Sequence, residues 1–356
     1  MSRPTRLHID TDALVHNVQR VKQCAPGKKI IAMVKANAYG CGISSVVPHL
    51  EAHVDAFGVA CLEEALMIHA LKMTRPCVLF QGVFSADEYR VAAEYGMQCV
   101  IHTPQQLAWL LLQPLSHPLS VWVKIDTGMH RLGLSMSEAH EVLSALRACA
   151  WVNKVGIMTH LACADTVDHA LNQQQWSVFS QFPASADLER SMANSAAILT
   201  QPSMHCEVVR PGIMLYGVSP FSNQSACDLD LKPVMRLNSV VSALHHFAAN
   251  VSIGYGGDWV TPRASTIGIV PIGYGDGYPR HIEPNTPVFI HGQRVPIVGR
   301  VSMDMMTVDL TDCPLAGVGD LVELWGPHLP VEEIAQSAHT IGYELLCQVS
   351  PRVRRS

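Results

Sequence analysis

Apolar residues in roughly the first two hundred positions alternate between short continuous runs and helically spaced stripes. The runs predict strands at Leu7–Ile9, Ile30–Val34, Ala56–Ala60, Cys77–Gln81, Cys99–His102, Ser120–Ile125, Val155–His160 and Glu207–Val209. Between them, Asp12–Gln23, Glu63–Leu71, Ala86–Tyr95, Pro104–Leu112, Ser137–Ala148 and Ala170–Phe182 carry helical spacing. This succession of βα units up to Tyr216 puts the chain in the α/β class. About eight units over such a length suit a (β/α)8 TIM-type barrel, although periodicity alone equally allows a doubly wound sheet.

Beyond Pro233 the helical texture gives way to Val, Thr, Gly and Pro with frequent turn signals. Strands are expected at Ser239–Leu244, Ser265–Pro271, Pro287–Ile290, Val295–Val301, Met305–Leu310 and Asp320–Trp325, with one helix near Val331–Ala338. The polar stretch Asn223–Lys232 marks the expected boundary. It divides the chain into a barrel over 1–230 and a smaller, mostly β C-terminal domain over 231–356.

Composition narrows the function classes. At 356 residues the chain outgrows a single core, which fits that division. A formal charge of −5 argues against nucleic acid as the main partner. The one basic cluster, Arg352 to Arg355, reads as a solvated tail. Eleven cysteines without a Cys-x-x-Cys pair describe neither a disulfide framework nor a zinc site, so reduced thiols and no metal are expected. The first residues lack the apolar core of a secretory signal, and no run reaches membrane-spanning length. A soluble cytoplasmic protein without a membrane partner is the expectation.

Five segments carry chemistry. Lys35 ends an apolar run and precedes the glycine-punctuated turn Ala36-Asn37-Ala38-Tyr39-Gly40. In a barrel this is the face on which active sites are built, where a desolvated lysine can titrate low enough to act as nucleophile or base. Standing alone, such a lysine would be a solvated loop residue. Lys124-Ile125-Asp126-Thr127-Gly128-Met129-His130-Arg131 repeats the strand-to-turn pattern and offers an arginine for bidentate carboxylate recognition, or for a plain surface ion pair. Thr159-His160 closes another run, where a histidine serves equally as a core residue. Ser195 near a helix start suits capping or phosphate binding. Arg210-Pro211-Gly212-Ile213 forms a Pro-Gly turn after a strand.

Together with Ser252-Ile253-Gly254-Tyr255-Gly256-Gly257 in the β domain, these segments resemble, in order, the motifs of the alanine racemase family, the fold-type III pyridoxal-phosphate isomerases. The resemblance implies pyridoxal 5'-phosphate bound covalently by Lys35. It implies further cofactor contacts from Tyr39, Asn194, Ser195, Arg210, Gly212 and Ile213, and substrate contacts from Arg131, Tyr274 and Met303. It also implies catalytic support from His160, Arg210 and Arg131, and carbamylation of Lys124. Lys35 and Tyr255 would be the two bases on opposite faces of the substrate, with Tyr255 supplied by the other subunit of a homodimer. Arg280, Arg300 and Asp165 would line a charged entrance. The chain departs from the pattern at Pro351, where the resemblance places a phosphate-binding tyrosine before Arg-Val.

The implied activity is interconversion of L- and D-alanine, feeding peptidoglycan synthesis. A broad-specificity racemase acting on serine and alanine is the nearest alternative. An amino-acid decarboxylase would carry an acidic residue where Arg210 stands, and a catalytically silent cofactor carrier would lack the β domain.

Overall fold

The computed structural model describes residues 3–112, 114–182 and 187–355. Nineteen strands occur among them. They are β1 (Arg6–Ile9), β2 (Lys29–Met33), β3 (Ala56–Val59), β4 (Cys77–Leu79), β5 (Gln98–Ile101), β6 (Leu119–Lys124), β7 (Val152–Met158), β8 (Leu188–Ser191), β9 (Val208–Val209) and β10 (Met235–Val240). Then follow β11 (Ala243–Phe247), β12 (Ser252–Ile253), β13 (Trp259–Val260), β14 (Ser265–Val270), β15 (Pro287–Ile290), β16 (Gln293–Val298), β17 (Met306–Asp309), β18 (Leu321–Trp325) and β19 (Arg354–Arg355).

Strands β2 to β9 close into a parallel barrel in chain order. Buried on both faces, they read as continuous apolar runs, as in Ile30–Met33 and Ala56–Val59. A second sheet of nine strands follows the order β11-β14-β17-β16-β15-β18-β10-β1-β19, and β12 pairs with β13 in a separate hairpin. One apolar core runs through both parts, from Leu7 and Leu14 to Trp325 and Leu346. No helix among the described residues is long and apolar enough to cross a membrane. All eleven cysteines are unpaired.

Four expectations need correction. Leu7–Ile9 forms a strand but not a barrel strand: β1 lies in the second sheet, antiparallel to β10 and parallel to β19. The eighth barrel strand is instead β8, whose sequence Leu-Glu-Arg-Ser shows no apolar run. Its charges are satisfied by tertiary ion pairs, Glu189 with Lys29 at 2.5 Å and Lys154 at 2.9 Å, and Arg190 with Glu207 at 3.1 Å. Those partners lie far away in sequence, so local patterning cannot reveal the strand. Ser239–Leu244 is not one strand but the end of β10 and the start of β11. Between them Val241 N–H donates to Asp320 O at 3.0 Å and Ser242 N–H to Ile269 O at 2.7 Å, so the chain crosses from one part of a curled sheet to another. Finally, the Arg352–Arg355 tail is docked, because β19 pairs with β1, Arg352 binds Asp276, and Arg355 donates to Gly40 O at 3.0 Å.

Leu7, fully buried between β10 and β19, ties the chain start to the second sheet. Leu7→Ala is expected to cost about 2–5 kcal/mol, the usual range for a buried leucine. Denaturant unfolding checks this: an unchanged midpoint would mean that the strand contributes little.

Candidate active site

The C-terminal ends of the barrel strands open into a cavity of about 800 Å3. Its lining includes Lys35, Lys124, Arg131 and Arg210, and no carboxylate among the described residues. Four cationic side chains without a lining counter-charge disfavour one another and favour anionic ligands.

Lys35 follows β2 and opens onto this cavity. The glycine-punctuated turn after it is left-handed. Ala36, Asn37, Ala38 and Tyr39 all take left-handed backbone angles, with φ of 52°, 53°, 54° and 51°. At 1–2 kcal/mol per residue, such a turn costs roughly 4–8 kcal/mol, so its surroundings must enforce it. Glu64 does so at the start, accepting from Ala36 N–H at 2.7 Å and from Ala60 N–H at 2.8 Å. Asn37 helps at the end, its Oδ1 accepting from Ile43 N–H at 2.9 Å. Gly40 permits the close approach of the C-terminal helix Gly342–Gln348, since a Cβ there would lie 2.0 Å from Leu346 O. Burial first, and the charge of Arg131 second, hold the Lys35 ammonium below its ordinary pKa.

The other cations are distributed around the barrel mouth. Lys124 at the end of β6 is 7% exposed, and burial together with Arg210, Arg131 and Lys35 brings its pKa down to about 8. Arg131 rides on a loop whose neck is closed by Asp126 N–H to Leu134 O at 2.9 Å. Within that loop Asp126 accepts from Gly128 and His130 N–H, both at 3.0 Å. Arg210 is 3% exposed and donates to Ser191 Oγ and Thr159 O at 2.6 Å and to Met192 O at 3.1 Å. Burial lowers its pKa to about 10, which leaves it charged at neutral pH. Phe80 lies against the guanidinium, 5.9 Å from ring centroid to Cζ. His160 Nδ1 is 3.3 Å from Arg210 Nη2. Arginine only donates, so Nδ1 accepts and the neutral ring carries its proton on Nε2. Burial, then the charges of Arg210, Lys124, Arg131 and Lys35, keep that ring neutral.

Hydroxyl groups also gather in the cavity lining. Asn194 caps the helix Ser195–Thr200 by accepting from Ala197 N–H at 3.2 Å, which frees Ser195 from capping. Ser195 Oγ accepts from Gly212 N–H at 2.9 Å and Met214 N–H at 3.3 Å. A Cβ on Gly212 would meet the Tyr39 hydroxyl at 2.6 Å, so only glycine permits this approach. Tyr39 stacks on Tyr216 with centroids 4.6 Å apart and tilts against Tyr343 at 6.1 Å. Tyr39, Ser195, Gly212 and Ile213 thus converge where Lys35 and Arg210 also face.

Tyr343 alters the expectation about Pro351. Pro351 is exposed and outside the cavity, whereas Tyr343, eight residues earlier on the Gly342–Gln348 helix, lines it. A tyrosine from the C-terminal region therefore does line the cavity, at position 343 on the docked helix rather than at 351. Glu64, Phe80, His102 and Cys347 also belong to the site or its support and escaped sequence reasoning, because each arrives from a separate element.

Tyr255, Tyr274 and Met303 do not line the cavity of their own chain. They are 70%, 40% and 53% exposed. Gly256 in the Tyr255 turn packs beside Arg300, and Tyr274 N–H donates to Ser302 O at 3.1 Å, so these residues share one surface of the second domain. Arg280 and Asp165 are also exposed and outside the cavity lining.

Residues 9–220 match the family model for the alanine racemase N-terminal domain, and residues 234–356 match that for the C-terminal domain. The chain is 58% identical over 355 residues to the alanine racemase of Legionella pneumophila strain Corby, covering 99% of both. It is 44% identical to the biosynthetic alanine racemase of Pseudomonas aeruginosa over 356 residues, 99% of each chain. Among solved structures, the crystal structure of biosynthetic alanine racemase from that organism superposes with a TM-score of 0.96 at 44% identity, covering 100% of this chain and 99% of the other. Alanine racemase from Bartonella henselae, solved with covalently bound pyridoxal phosphate, gives 0.88 at 31% identity, covering 100% and 99%. The cavity, the two-part fold and these matches agree: the chain belongs to the alanine racemase family, whose members are isomerases of alanine.

Proposed function

We propose that the chain carries out alanine racemisation with pyridoxal 5'-phosphate seated in the barrel cavity, as a cytoplasmic homodimer supplying D-alanine for peptidoglycan. The observation that carries this reading is the cavity itself: a depressed lysine, three further cations, no lining carboxylate among the described residues, and lining hydroxyl groups. The donor set fits the cofactor. Tyr39, Ser195 and the Ile213 amide suit a phosphate, joined by the Gly212 amide once released from Ser195 Oγ; Lys35 suits an aldehyde, and Asn194 shapes the wall beside them. When bound, pyridoxal phosphate supplies an electron sink that acidifies the Cα–H of an attached amino acid.

The chain's own groups then divide the work. Lys35 Nζ takes or returns the proton on one face. Tyr255 of the partner subunit does so on the other. His160, neutral with its proton on Nε2, is suited to donate to a phenolate, and Arg210 supports the imidazole through Nδ1. Arg210, held by three oxygen acceptors, offers N–H groups to a ring nitrogen without surrendering a proton, which counts against a decarboxylase-like site. Arg131 has no carboxylate partner among the described residues and is suited to the substrate carboxylate. Lys124, with a pKa of about 8, has enough free amine at neutral pH to add carbon dioxide, releasing a proton and giving a carbamate that would offset the neighbouring cations. Tyr274 and Met303 of the partner would limit side-chain size and favour alanine over serine.

Three outcomes test this. Lys35→Ala is expected to abolish bound-cofactor absorbance and turnover in both directions. Tyr255→Phe should retain the cofactor and lose about 10²–10⁴-fold, chiefly in abstraction from L-alanine. Circular dichroism reads the overall loss of racemisation, which must be equal in both directions, and solvent-deuterium exchange into each recovered enantiomer reads the face: exchange lost equally from L- and D-alanine would refute the face assignment. Mixing these two inactive variants should restore about a quarter of native activity, because half of randomly formed dimers would each hold one intact site. No recovery after subunit exchange would contradict shared sites.

Cofactor capture by cofactor-free protein requires the neutral Lys35 amine. Its lowered pKa predicts a capture rate that rises with pH and levels off below the ordinary value of 10.5. Arg131→Gln removes a like charge, raises that pKa and should slow capture near neutrality. Absorbance-monitored capture across pH decides this, and an unmoved midpoint in the variant would exclude the Arg131 contribution.

A further inference from the structure

Asp276 is fully buried, yet it carries a carboxylate in the turn that begins with Tyr274. Four donors converge on it. Arg3 contacts both oxygens, with Nη2 to Oδ2 at 2.6 Å. Arg352 Nε donates to Oδ1 at 2.8 Å, and Gly273 N–H to Oδ2 at 3.0 Å.

The same two arginines reach the loop that carries Met303. Arg352 Nη2 donates to Asp304 Oδ1 at 2.5 Å, and Arg3 Nη2 to Asp304 O at 3.1 Å. The two loops also touch directly, through Tyr274 N–H to Ser302 O at 3.1 Å and Gly275 N–H to Met303 O at 2.9 Å. Neither loop is part of a strand, so the arginine–carboxylate contacts are the side-chain ties described between them.

The register of the second sheet explains how opposite ends of the chain meet here. Strands β1 and β19 run parallel, with Arg6 opposite Arg354 and Leu7 opposite Arg355. Arg3 and Arg352 therefore leave the same end of this ribbon side by side. From the same ribbon, Arg355 forks onto Gly40 O at 3.2 and 3.0 Å, at the end of the Lys35 turn. One short ribbon is thus fastened to the turn bearing Lys35 and to the surface bearing Tyr274 and Met303.

We propose that Arg3, Arg352 and Asp276 are positioning residues for racemisation, forming a clamp from both chain ends that sets Tyr274 and Met303 at the spacing with which they hold and size-select the amino acid. The inference rests on the reading that these two residues face substrate in the partner's cavity. A charge-assisted fork onto a buried carboxylate fixes both distance and orientation, which a flexible loop contact cannot do. The clamp touches neither the cofactor cavity nor the two bases, so its loss acts on substrate binding rather than proton transfer.

Steady-state racemisation by the holoenzyme, with alanine and serine, tests this on Arg3→Ala, Arg352→Ala, their double variant and Arg352→Lys. Each alanine variant should raise KM for L- and D-alanine about tenfold, with kcat nearly unchanged, cofactor absorbance intact and discrimination against serine reduced. The double variant should be little worse than either single one, because both arginines act on one carboxylate. Arg352→Lys keeps the charge without the fork, should recover part of the loss, and serves as the test if Arg352→Ala fails to fold. A lowered melting temperature with unchanged KM and serine discrimination would make the clamp merely structural and overturn the proposal, as would full additivity. Tyr274→Ala and Met303→Ala separate the two failures. If they shift KM while the clamp variants do not, the clamp alone is wrong; if they leave KM unchanged, the substrate reading falls and the clamp's role with it.

Discussion

Four cationic side chains share one cavity that no carboxylate lines among the described residues. Most of the site's chemistry follows from that imbalance. Burial first, and that imbalance second, lower the pKa of Lys35 and of Lys124, the latter to about 8, and keep His160 neutral beside Arg210. In water such a cluster would be screened, but at the mouth of a packed barrel it is only partly so. The cavity is therefore arranged for anions: a phosphate beside the hydroxyl groups, a carboxylate near Arg131 and a carbamate on Lys124 would each reduce the repulsion.

Holding the cluster in place requires rigid supports. Barrel strands supply Lys124 and the backbone around Arg210, whose guanidinium is locked by three oxygen acceptors. Lys35 is held differently, by a left-handed turn that L-residues resist. Glu64, Asn37 and the fork of Arg355 on Gly40 O clamp that turn at both ends. The strain is thus offset by side chains from the barrel and from the very end of the chain.

In the proposed reading the second sheet contributes a different part of the machinery. Tyr274 and Met303 sit on its loops and Tyr255 on the separate β12–β13 hairpin; all three remain exposed within one chain and outside its own cavity. In the proposed homodimer a second copy would join these halves without new chemistry. Because β1 and β19 lie together in this sheet, the chain's ends are fastened next to its functional loops.

The sequence by itself determined the segments that carry chemistry and the alternation that builds the barrel. Lys35, Lys124, Arg131, His160 and Arg210 stand at or just beyond strand ends that local apolar runs make visible, and Ser195 at a visible helix start. Tertiary structure decided what depends on distant partners. Strand β8 was hidden because ion pairs with Lys29, Lys154 and Glu207 satisfy its charges, and β1 was assigned to the barrel because an apolar run does not name its sheet. Tyr343 was overlooked because its place beside Tyr39 comes from docking of the C-terminal helix, not from a motif. The physical reason is common to all three: periodicity records which face of an element is buried, whereas neutralising a charge or filling a pocket depends on what the fold brings to it.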